Sequence, residues 1–415
     1  MHHKKKGRKI YTYRVKNRRV FSKDHPLRRT VGTVLLLAVM AFLGFVGYHV
    51  IGPVLDRISE EETQPTLTDD PYFTAPPETT VTTTQTARIT AATTVTTKTT
   101  SAVTAAETTA LGFRLASDAT VAYCLSPDSL TDVQVLSSAV SVLSQSGYTA
   151  LVIPLKTEGG WIRYRTDIPA AKTAGAVVTS TLTLQEITDT VSAMGLSCYA
   201  MTDVLGDRLY PAAFPEGAFT TEKDDKLWTD AEKRAWISPY SDSARSYLNS
   251  LAAEIAQADF MGLLLTDVAF PVFSKNDQKA IGTAATDEKQ RRGALTSLVN
   301  GIAVAEPNAS LTVDLSDALS GKAEALHPEA LTVKSVCVRI DYAKFEQPFR
   351  YDNQKYDLSG KSFAEQTKTL LQLADAVTGK LDVIPWIVRG SMSDANFEAV
   401  LDTAYQPGCK TVFVS

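Results

Sequence analysis

Short β-branched runs alternate with amphipathic stretches from residue 120 to the end of this chain, and this alternation constrains the fold more than any other feature. The runs predict eight strands, at 120–125, 150–156, 197–204, 262–268, 310–316, 335–342, 382–388 and 410–415. Apolar residues at helical spacing predict helices at 132–146, 184–195, 241–258, 286–304, 362–378 and 394–404. Eight strands with helical crossovers favour an α/β fold, the (β/α)8 TIM barrel, and a doubly wound open sheet is the alternative.

The N-terminal part has a different character. Residues 1–29 carry twelve Lys or Arg and one acid, so the remainder has a net charge of about −15 against −4 for the whole chain. This distribution excludes a basic nucleic-acid binder as a description of the whole chain. The basic tail alone could bind nucleic acid or lipid headgroups, but membrane topology accounts for its charge, and we predict no nucleic-acid partner. Residues 30–55 contain no Asp, Glu, Lys or Arg, and a helix of this length crosses a hydrocarbon core of about 30 Å. The basic flank predicts a cytoplasmic N-terminus and an extracytoplasmic C-terminal domain at the cell membrane.

A cleaved signal peptide is the competing interpretation of the same segment. The apolar run is longer than that of a signal peptide, and no small-residue cleavage pattern follows it. Residues 56–111 are rich in Thr, Ala and Pro and cannot bury enough apolar surface to fold. The predicted order is therefore a basic cytoplasmic tail (1–29), a transmembrane helix (30–55), a disordered Thr-rich linker (56–111) and a barrel domain (112–415).

The four cysteines, Cys124, Cys198, Cys337 and Cys409, include no CxxC pair. Each lies in an apolar strand-like run, where a cysteine is most often a small buried side chain. Closure of a barrel would place the first strand beside the last and could bring Cys124 near Cys409. We expect free thiols, with that one disulfide as the alternative.

In a TIM barrel, functional side chains gather at the C-terminal ends of the strands and in the loops that follow. The charged or polar residues at these positions are Lys156, Glu158, Asp203, Asp207, Asp267, Asp314, Asp317, Arg339, Asp341, Arg389 and Ser391. Histidine is missing from this set, and His327 alone lies beyond the tail and the apolar segment. A zinc site with several histidines is thereby excluded, and a Ser-His-Asp triad would have to use His327. The chain contains no glycine-rich phosphate loop, and we predict no cofactor and no metal.

Carboxylates alone can hydrolyse glycosidic bonds, because one stays ionised while the other keeps its proton. We predict a retaining mechanism in which Asp267 is the nucleophile or stabilising carboxylate and Asp314 is the acid/base. Asp203 and Asp341 are the predicted substitutes. Aromatic residues near the strand ends suit a sugar-binding groove, although each could instead serve packing.

Five segments together resemble a known family. They are ALVIPLKTEGGWIRYRTDIP from residue 150, DVLGDRLYPAAFP from 203, WISPY from 236, GLLLTDVAFP from 262 and VIPWIV from 383. In order and spacing they are similar to the glycoside hydrolase domain of bacterial envelope proteins, an α-amylase-like TIM barrel often carried behind a membrane anchor. The resemblance covers residues 148–415 and implies a polysaccharide substrate.

The family's motifs place several functional residues on this chain. Its strand-two motif, V-I-D-x-K, and the tyrosine that follows fall on Lys156 and Tyr164. Its loop aspartate falls on Asp207, its strand-five aspartate on Asp314, and its W-x-x-P-Y on Trp236 and Tyr240. Together with the P-W of strand seven and a basic residue after that strand, the predicted substrate-binding residues are Lys156, Tyr164, Asp207, Trp236, Tyr240, Trp386 and Arg389.

Two departures from the family concern acids. Pro154 replaces the aspartate of V-I-D-x-K, and the strand-four motif F-D-Y-x-R-F-P places Thr266 at the acid and Ala269 at the arginine. Asp267 lies one position later, and a shift of one residue on a strand turns a side chain to the other face. A β-bulge near the strand end would restore its direction.

These observations lead to two hypotheses. The first is a membrane-anchored extracytoplasmic glycoside hydrolase that acts on a cell-envelope polysaccharide through paired carboxylates. The second is a barrel without catalytic acids that binds glycan or serves as an envelope scaffold. The direction of the Asp267 side chain separates them.

Overall fold

A computed structural model describes residues 119–178, 182–405 and 410–415. Its barrel strands are β1 (Thr120–Cys124), β2 (Ala150–Thr157), β3 (Ser197–Asp203), β4 (Leu263–Thr266), β5 (Ala309–Asp314), β6 (Ser335–Ile340), β7 (Asp382–Ile387) and β8 (Thr411–Val414). Each strand pairs in parallel with the next. Strand β1 also pairs with β8, with Thr120 opposite Thr411, so the sheet is closed. The predicted (β/α)8 barrel is confirmed, and the open sheet is wrong because the first and last strands are hydrogen-bonded to each other.

The predicted tail, transmembrane helix and linker, residues 1–111, lie outside the described residues. Within the described ranges, no helix combines the length and apolar character needed to cross a membrane. Cys124, Cys198 and Cys337 are free thiols. Cys409 falls in the gap at 406–409, so the possible Cys124–Cys409 pair stays a prediction.

Helices occur at the six predicted positions, and further short helices that the apolar spacing did not predict lie between them. In the described part of the chain they are α1 (Val133–Gln145), α2 (Pro169–Thr173), α3 (Leu184–Ala193), α4 (Leu209–Ala213), α5 (Asp242–Ile255), α6 (Lys275–Ile281), α7 (Thr283–Thr286), α8 (Glu288–Ala305), α9 (Leu315–Leu319), α10 (Phe363–Thr378) and α11 (Asp394–Ala404). Side-chain caps fix several starts: Thr183 with Glu186 forms a capping box on α3, and Ser362 with Glu365 forms one on α10. These caps satisfy backbone N–H groups that have no partner within the helix.

Alternate residues of the strands build two apolar cores. Inside the barrel lie small and large side chains from several strands, namely Ala122, Ala150, Val152, Leu264, Cys337, Trp386 and Phe413. The opposite faces of the same strands pack against the helices in a larger core. On β3 this alternation turns Tyr199 and Met201 toward the inner core and Cys198 and Ala200 toward the helices.

The loops after β2 and β3 carry additional structure, and the loop after β6 contains a hairpin of strands Phe349–Tyr351 and Gln354–Tyr356. After β2, the short strand Trp161–Ile162 pairs antiparallel with the end of β2. After β3, residues 204–241 form a long loop that contains α4 and a 3-10 turn at Pro215–Gly217. An isolated bridge between Gly159 and Asp207 joins these two loops. The β2 and β3 ends are thereby held together at the mouth of the barrel.

Candidate active site

Asp267 follows the last residue of β4, and its backbone conformation turns it toward the loop after β3. Strand β4 ends at Thr266, and Asp267 has a φ of 53°, in the left-handed region. Short polar residues such as Asp adopt this region more readily than most. The Gly206 N–H donates to the Asp267 carboxylate, and a Cβ at Gly206 would lie 2.1 Å from Asp267 Oδ2. The side chain thus reaches the barrel mouth without a bulge, provided that residue 206 is glycine.

Asp203 is the last residue of β3 and lies opposite Thr266 of β4. The Thr266 hydroxyl donates to Asp203 Oδ1. Lys156 Nζ donates to the Asp203 backbone oxygen at 2.7 Å, which ties the ends of β2 and β3 together. Thr266, the residue at the acid position of the family motif, therefore serves as a hydrogen-bond donor to a carboxylate from the neighbouring strand.

Asp203 and Asp267 line one cavity of about 280 Å³, which we call the carboxylate cavity. Its lining residues come from the loops after β2, β3 and β4: Glu158, Gly159, Asp203, Gly206, Arg208, Arg234, Ala235, Trp236 and Asp267. Neighbouring parallel strands lie about 4.8 Å apart, so acids at adjacent strand ends come close to each other. The cavity lies at the end of the barrel where functional residues of this fold gather.

The two carboxyl groups differ in their electrostatic surroundings. Burial, and second the charge of Asp203, raise the pKa of Asp267 to about 6, while Lys156 and the Gly206 N–H oppose this rise. Burial also raises the pKa of Asp203, against the Thr266 hydroxyl and Lys156. Asp267 keeps surface open to solvent, although the surrounding protein displaces part of the water around its carboxyl group. The surroundings therefore favour the proton on Asp267 and the negative charge on Asp203, whose carboxylate accepts a hydrogen bond from Thr266.

Lys156 and Asp207, both predicted to bind substrate, form a buried ion pair of 3.1 Å instead. Their side chains are 1% and 0% exposed, so neither can touch a ligand. Asp207 Oδ1 accepts the N–H groups of Leu209 and Tyr210 at 2.9 Å each, which caps the start of α4. The prediction for these two residues is corrected: they hold the β2 and β3 loops in place beneath the cavity.

Trp236 lines the carboxylate cavity, as a substrate-binding residue must. Its Nε1 donates to Asp230 Oδ2 at 3.0 Å. Arg234 lies over the indole ring, 5.7 Å from its centroid, and pairs with Asp230 at 2.9 Å. Arg234 also pairs with Glu158 at 3.1 Å, which links the loop that carries Trp236 to the loop after β2. One indole face next to two carboxylates is suited to a sugar ring.

Three other predicted aromatic contacts are directed into the protein. The Tyr164 hydroxyl donates to Glu254 Oε2 at 2.8 Å, and the side chain is 1% exposed. Tyr240 donates to the Ala284 oxygen at 3.0 Å. Trp386 belongs to the inner barrel core and is 5% exposed. These residues pack and do not line the carboxylate cavity, because their polar atoms already bond within the protein.

Asp314, the predicted acid/base, ends β5 and is paired with two cations. Its Oδ1 lies 3.5 Å from Arg339 Nη1 and 3.1 Å from Lys344 Nζ. It does not line the carboxylate cavity. The structure therefore brings Asp203, rather than Asp314, next to Asp267.

Asp341 and Arg389 lie together, but at another place. Both line a larger recess of about 480 Å³ formed by the loops after β6 and β7. Asp341 accepts the Ala343 N–H at 3.1 Å, and Arg389 pairs with Asp394. Both side chains are thus engaged with residues of their own loops and do not line the carboxylate cavity.

Among the residues of the carboxylate cavity that sequence reasoning missed are Gly206, Arg208 and Arg234. All lie in the long loop after β3, and the sequence analysis selected mainly residues at the predicted strand ends. One signal was available: Arg234 and Trp236 are two positions apart in an extended segment, which places both side chains on one face. The role of Gly206 depends on the conformation of Asp267 and has no local signal. Among the described residues, no three His, Cys, Asp or Glu are placed to share a metal ion.

The comparison with family models gives one match. Residues 122–326 match a model described as "Putative glycosyl hydrolase domain". No curated protein matches this chain. The matched range contains the carboxylate cavity in full, from Glu158 to Asp267.

Several solved structures are similar at low identity. A hypothetical protein from Ruminiclostridium thermocellum is 19% identical over 46% of this chain and 95% of its own, with a TM-score of 0.38. The glycoside hydrolase domain of PelA from Pseudomonas aeruginosa is 17% identical over 64% and 94%, with a TM-score of 0.34. A GH5_18 protein from Streptomyces cattleya in complex with Manβ1-4GlcNAc is 15% identical over 68% and 65%, with a TM-score of 0.43. These scores are low, so the fold assignment rests on the strand pairing described above.

Proposed function

We propose that the protein is a glycoside hydrolase with Asp203 and Asp267 as its catalytic pair, because residues 122–326 match the model of a glycosyl hydrolase domain. One observation carries the proposal: two carboxyl groups from adjacent strand ends line one cavity, and one of them has a pKa raised to about 6. Trp236 supplies the aromatic wall.

The surroundings of the two acids assign their roles. Asp267 keeps its proton to higher pH and is the acid, which reverses the role expected from the sequence. Asp203 accepts a hydrogen bond from the Thr266 hydroxyl, and we assign it as the carboxylate that faces the anomeric carbon. The spacing of adjacent strands, about 4.8 Å, suits the separation of about 5 Å that a retaining mechanism uses.

The reaction then has two displacements. An Asp203 oxygen bonds to the anomeric carbon as the glycosidic bond breaks, and the leaving oxygen takes the proton of Asp267. In the second step, Asp267 removes a proton from water, and the water oxygen attacks the anomeric carbon. Asp203 leaves as a carboxylate, and the sugar is released with its original anomeric configuration.

The cellular location that we propose for this activity is inferred from the sequence. The charge-free segment 30–55 and the basic residues before it support a single-pass membrane anchor with the barrel outside the cytoplasm. The Thr-rich residues 56–111 would then give the barrel reach from the membrane. We therefore propose a cell-envelope or extracellular polysaccharide as substrate. Protease treatment of intact cells tests this topology: the barrel should be degraded while an N-terminal tag survives.

The activity test uses the full chain, purified in detergent, with isolated envelope polysaccharides. Wild type should release reducing ends, and Asp203→Asn and Asp267→Asn should each lower the rate by about 100-fold or more. Asp402→Asn, a surface change on α11, is the matched control and should keep full activity. Proton NMR of the first product should show retained anomeric configuration.

Two outcomes would overturn the proposal. Glycan retention without release of reducing ends, unchanged in both Asn variants, would make the barrel a binding module. Hydrolysis that persists in both variants would place the chemistry elsewhere on the barrel. An inverted product would leave a hydrolase but exclude Asp203 as the nucleophile.

A further inference from the structure

Arg208 is a cation of the carboxylate cavity whose guanidinium has no bound partner among the described residues. It follows buried Asp207 in the loop after β3 and is exposed. No ion pair or hydrogen bond of its side chain occurs within the described ranges, in contrast to Arg234, which pairs with Glu158, Asp230 and Glu232. The cavity therefore holds one neutralised arginine and one available arginine.

The backbone at Arg208 is fixed although its side chain is available. Its N–H donates to the Gly159 oxygen at 3.3 Å. The preceding Asp207 is locked by Lys156 and forms a bridge with Gly159. An ideal Cβ on Gly159 would lie 3.4 Å from Arg208 Nε, so the guanidinium starts beside the β2 loop at the cavity wall. Because the backbone of Arg208 is already fixed and its guanidinium is unpaired, binding of an anion would cost little additional conformational entropy.

The charge of Arg208 is not used to hold the catalytic acids. Lys156 is the cation that lowers the pKa of both Asp203 and Asp267. Glu158, on the cavity wall, pairs instead with Arg234. Arg208 thus has neither a structural partner nor a role in tuning the acid pair, and its donors are left for the substrate.

We propose that Arg208 recognises a negatively charged substituent, a carboxylate or a phosphate, on the sugar bound in the carboxylate cavity. This inference rests on the proposed function and names its substrate class, an acidic glycan. A guanidinium presents five N–H donors in a planar fork that matches either anion, and such charge-assisted hydrogen bonds are among the strongest in proteins. The indole face of Trp236 would contact the ring that bears the anion.

Binding tests the proposal without requiring turnover. The full chain in detergent is titrated calorimetrically, at pH 5.5, with trimers of galacturonate, glucuronate and mannuronate and with the methyl ester of each. Glucose 6-phosphate against glucose forms the phosphate arm. At least one acidic probe should bind about 10- to 100-fold more tightly than its uncharged counterpart, as one charge-assisted contact provides.

Variants assign the preference to this residue. Arg208→Gln should abolish the difference between charged and uncharged probes, and Arg208→Lys, which keeps the charge, should retain part of it. Arg350→Gln removes an equal charge from the exposed hairpin strand Phe349–Tyr351 and should leave the preference unchanged. Melting temperatures of all three should match wild type, which separates recognition from folding.

The results also separate this inference from the proposed function. Hydrolysis of neutral glycans together with equal binding of charged and uncharged probes would overturn the inference and leave the hydrolase. Charge preference that depends on Arg208 in a protein that hydrolyses no glycan would do the reverse. A preference that survives Arg208→Gln would place recognition at another cation and refute the role of Arg208.

Discussion

The coupling between the two acids of the cavity can be tested by removing one charge. Asp203 is, after burial, the largest cause of the raised pKa of Asp267, and Glu158 is the smallest. Asp203→Asn keeps an oxygen for the Thr266 hydroxyl but removes the negative charge. We expect the pKa of Asp267 to fall from about 6 in this variant.

The size of the fall follows from the position of the two groups. A unit charge about 5 Å away contributes about 0.8 kcal/mol in water and about 3 kcal/mol at an effective dielectric constant of 20. Asp267 has solvent-accessible surface, so the lower part of this range applies, about 1 kcal/mol. At about 1.4 kcal/mol per pKa unit, the pKa should fall by about 0.7, to a value still above 3.8 because burial remains.

The measurement is a carbon NMR titration of protein labelled at the aspartate carboxyl carbons. The signal of Asp267 is the one that disappears in Asp267→Asn. Glu158→Gln is the matched control and should lower the pKa less, because Glu158 is paired with Arg234. An unchanged or higher pKa in Asp203→Asn would show that the two carboxyl groups do not face each other, and the assigned catalytic pair would be wrong.

Three further outcomes are expected. Because the pKa of Asp267 is raised from 3.8 to about 6 in the folded protein, folding stability is lost as pH rises through that window; Asp267→Asn should therefore raise the melting temperature at pH 7, and a lower value would contradict the burial. Gly206→Ala places a Cβ 2.1 Å from Asp267 Oδ2. We expect a large loss of kcat with little change in melting temperature, and a kcat within about twofold of wild type would refute the tight fit. Lys156→Met leaves Asp207 buried without its cation and should cost about 3–5 kcal/mol in urea unfolding; a loss below about 1 kcal/mol would contradict the structural role.

The strands and long helices could be predicted because their signals are local. The runs at 150–156 and 335–342 are apolar over the length of one buried strand, and the structure places β2 and β6 there. Ser362 and Glu365 mark the start of α10 in the sequence, as a capping box does. Closure of the barrel followed from the number of strands and not from any single segment.

The contents of the site were less predictable, because burial of a polar side chain depends on distant partners. Lys156 at a strand end has the position of a functional residue, yet Asp207, 51 positions later, captures it. Tyr164 is captured in the same way by Glu254, on a helix that sequence alone does not place beside it. A motif gives the residue type at the mouth, and only the folded loops decide whether it faces the ligand.

Asp267 shows why a one-residue displacement need not remove a functional acid. In a regular strand, moving the acid from position 266 to 267 would turn it toward the helices. Here the strand ends one residue earlier, and the left-handed backbone of Asp267 directs the carboxylate into the cavity. The vacated position is occupied by Thr266, whose hydroxyl donates to Asp203 and favours its ionised form. The displacement and the threonine therefore act together: the first supplies a carboxyl group that holds a proton, and the second steadies the carboxylate that must stay charged.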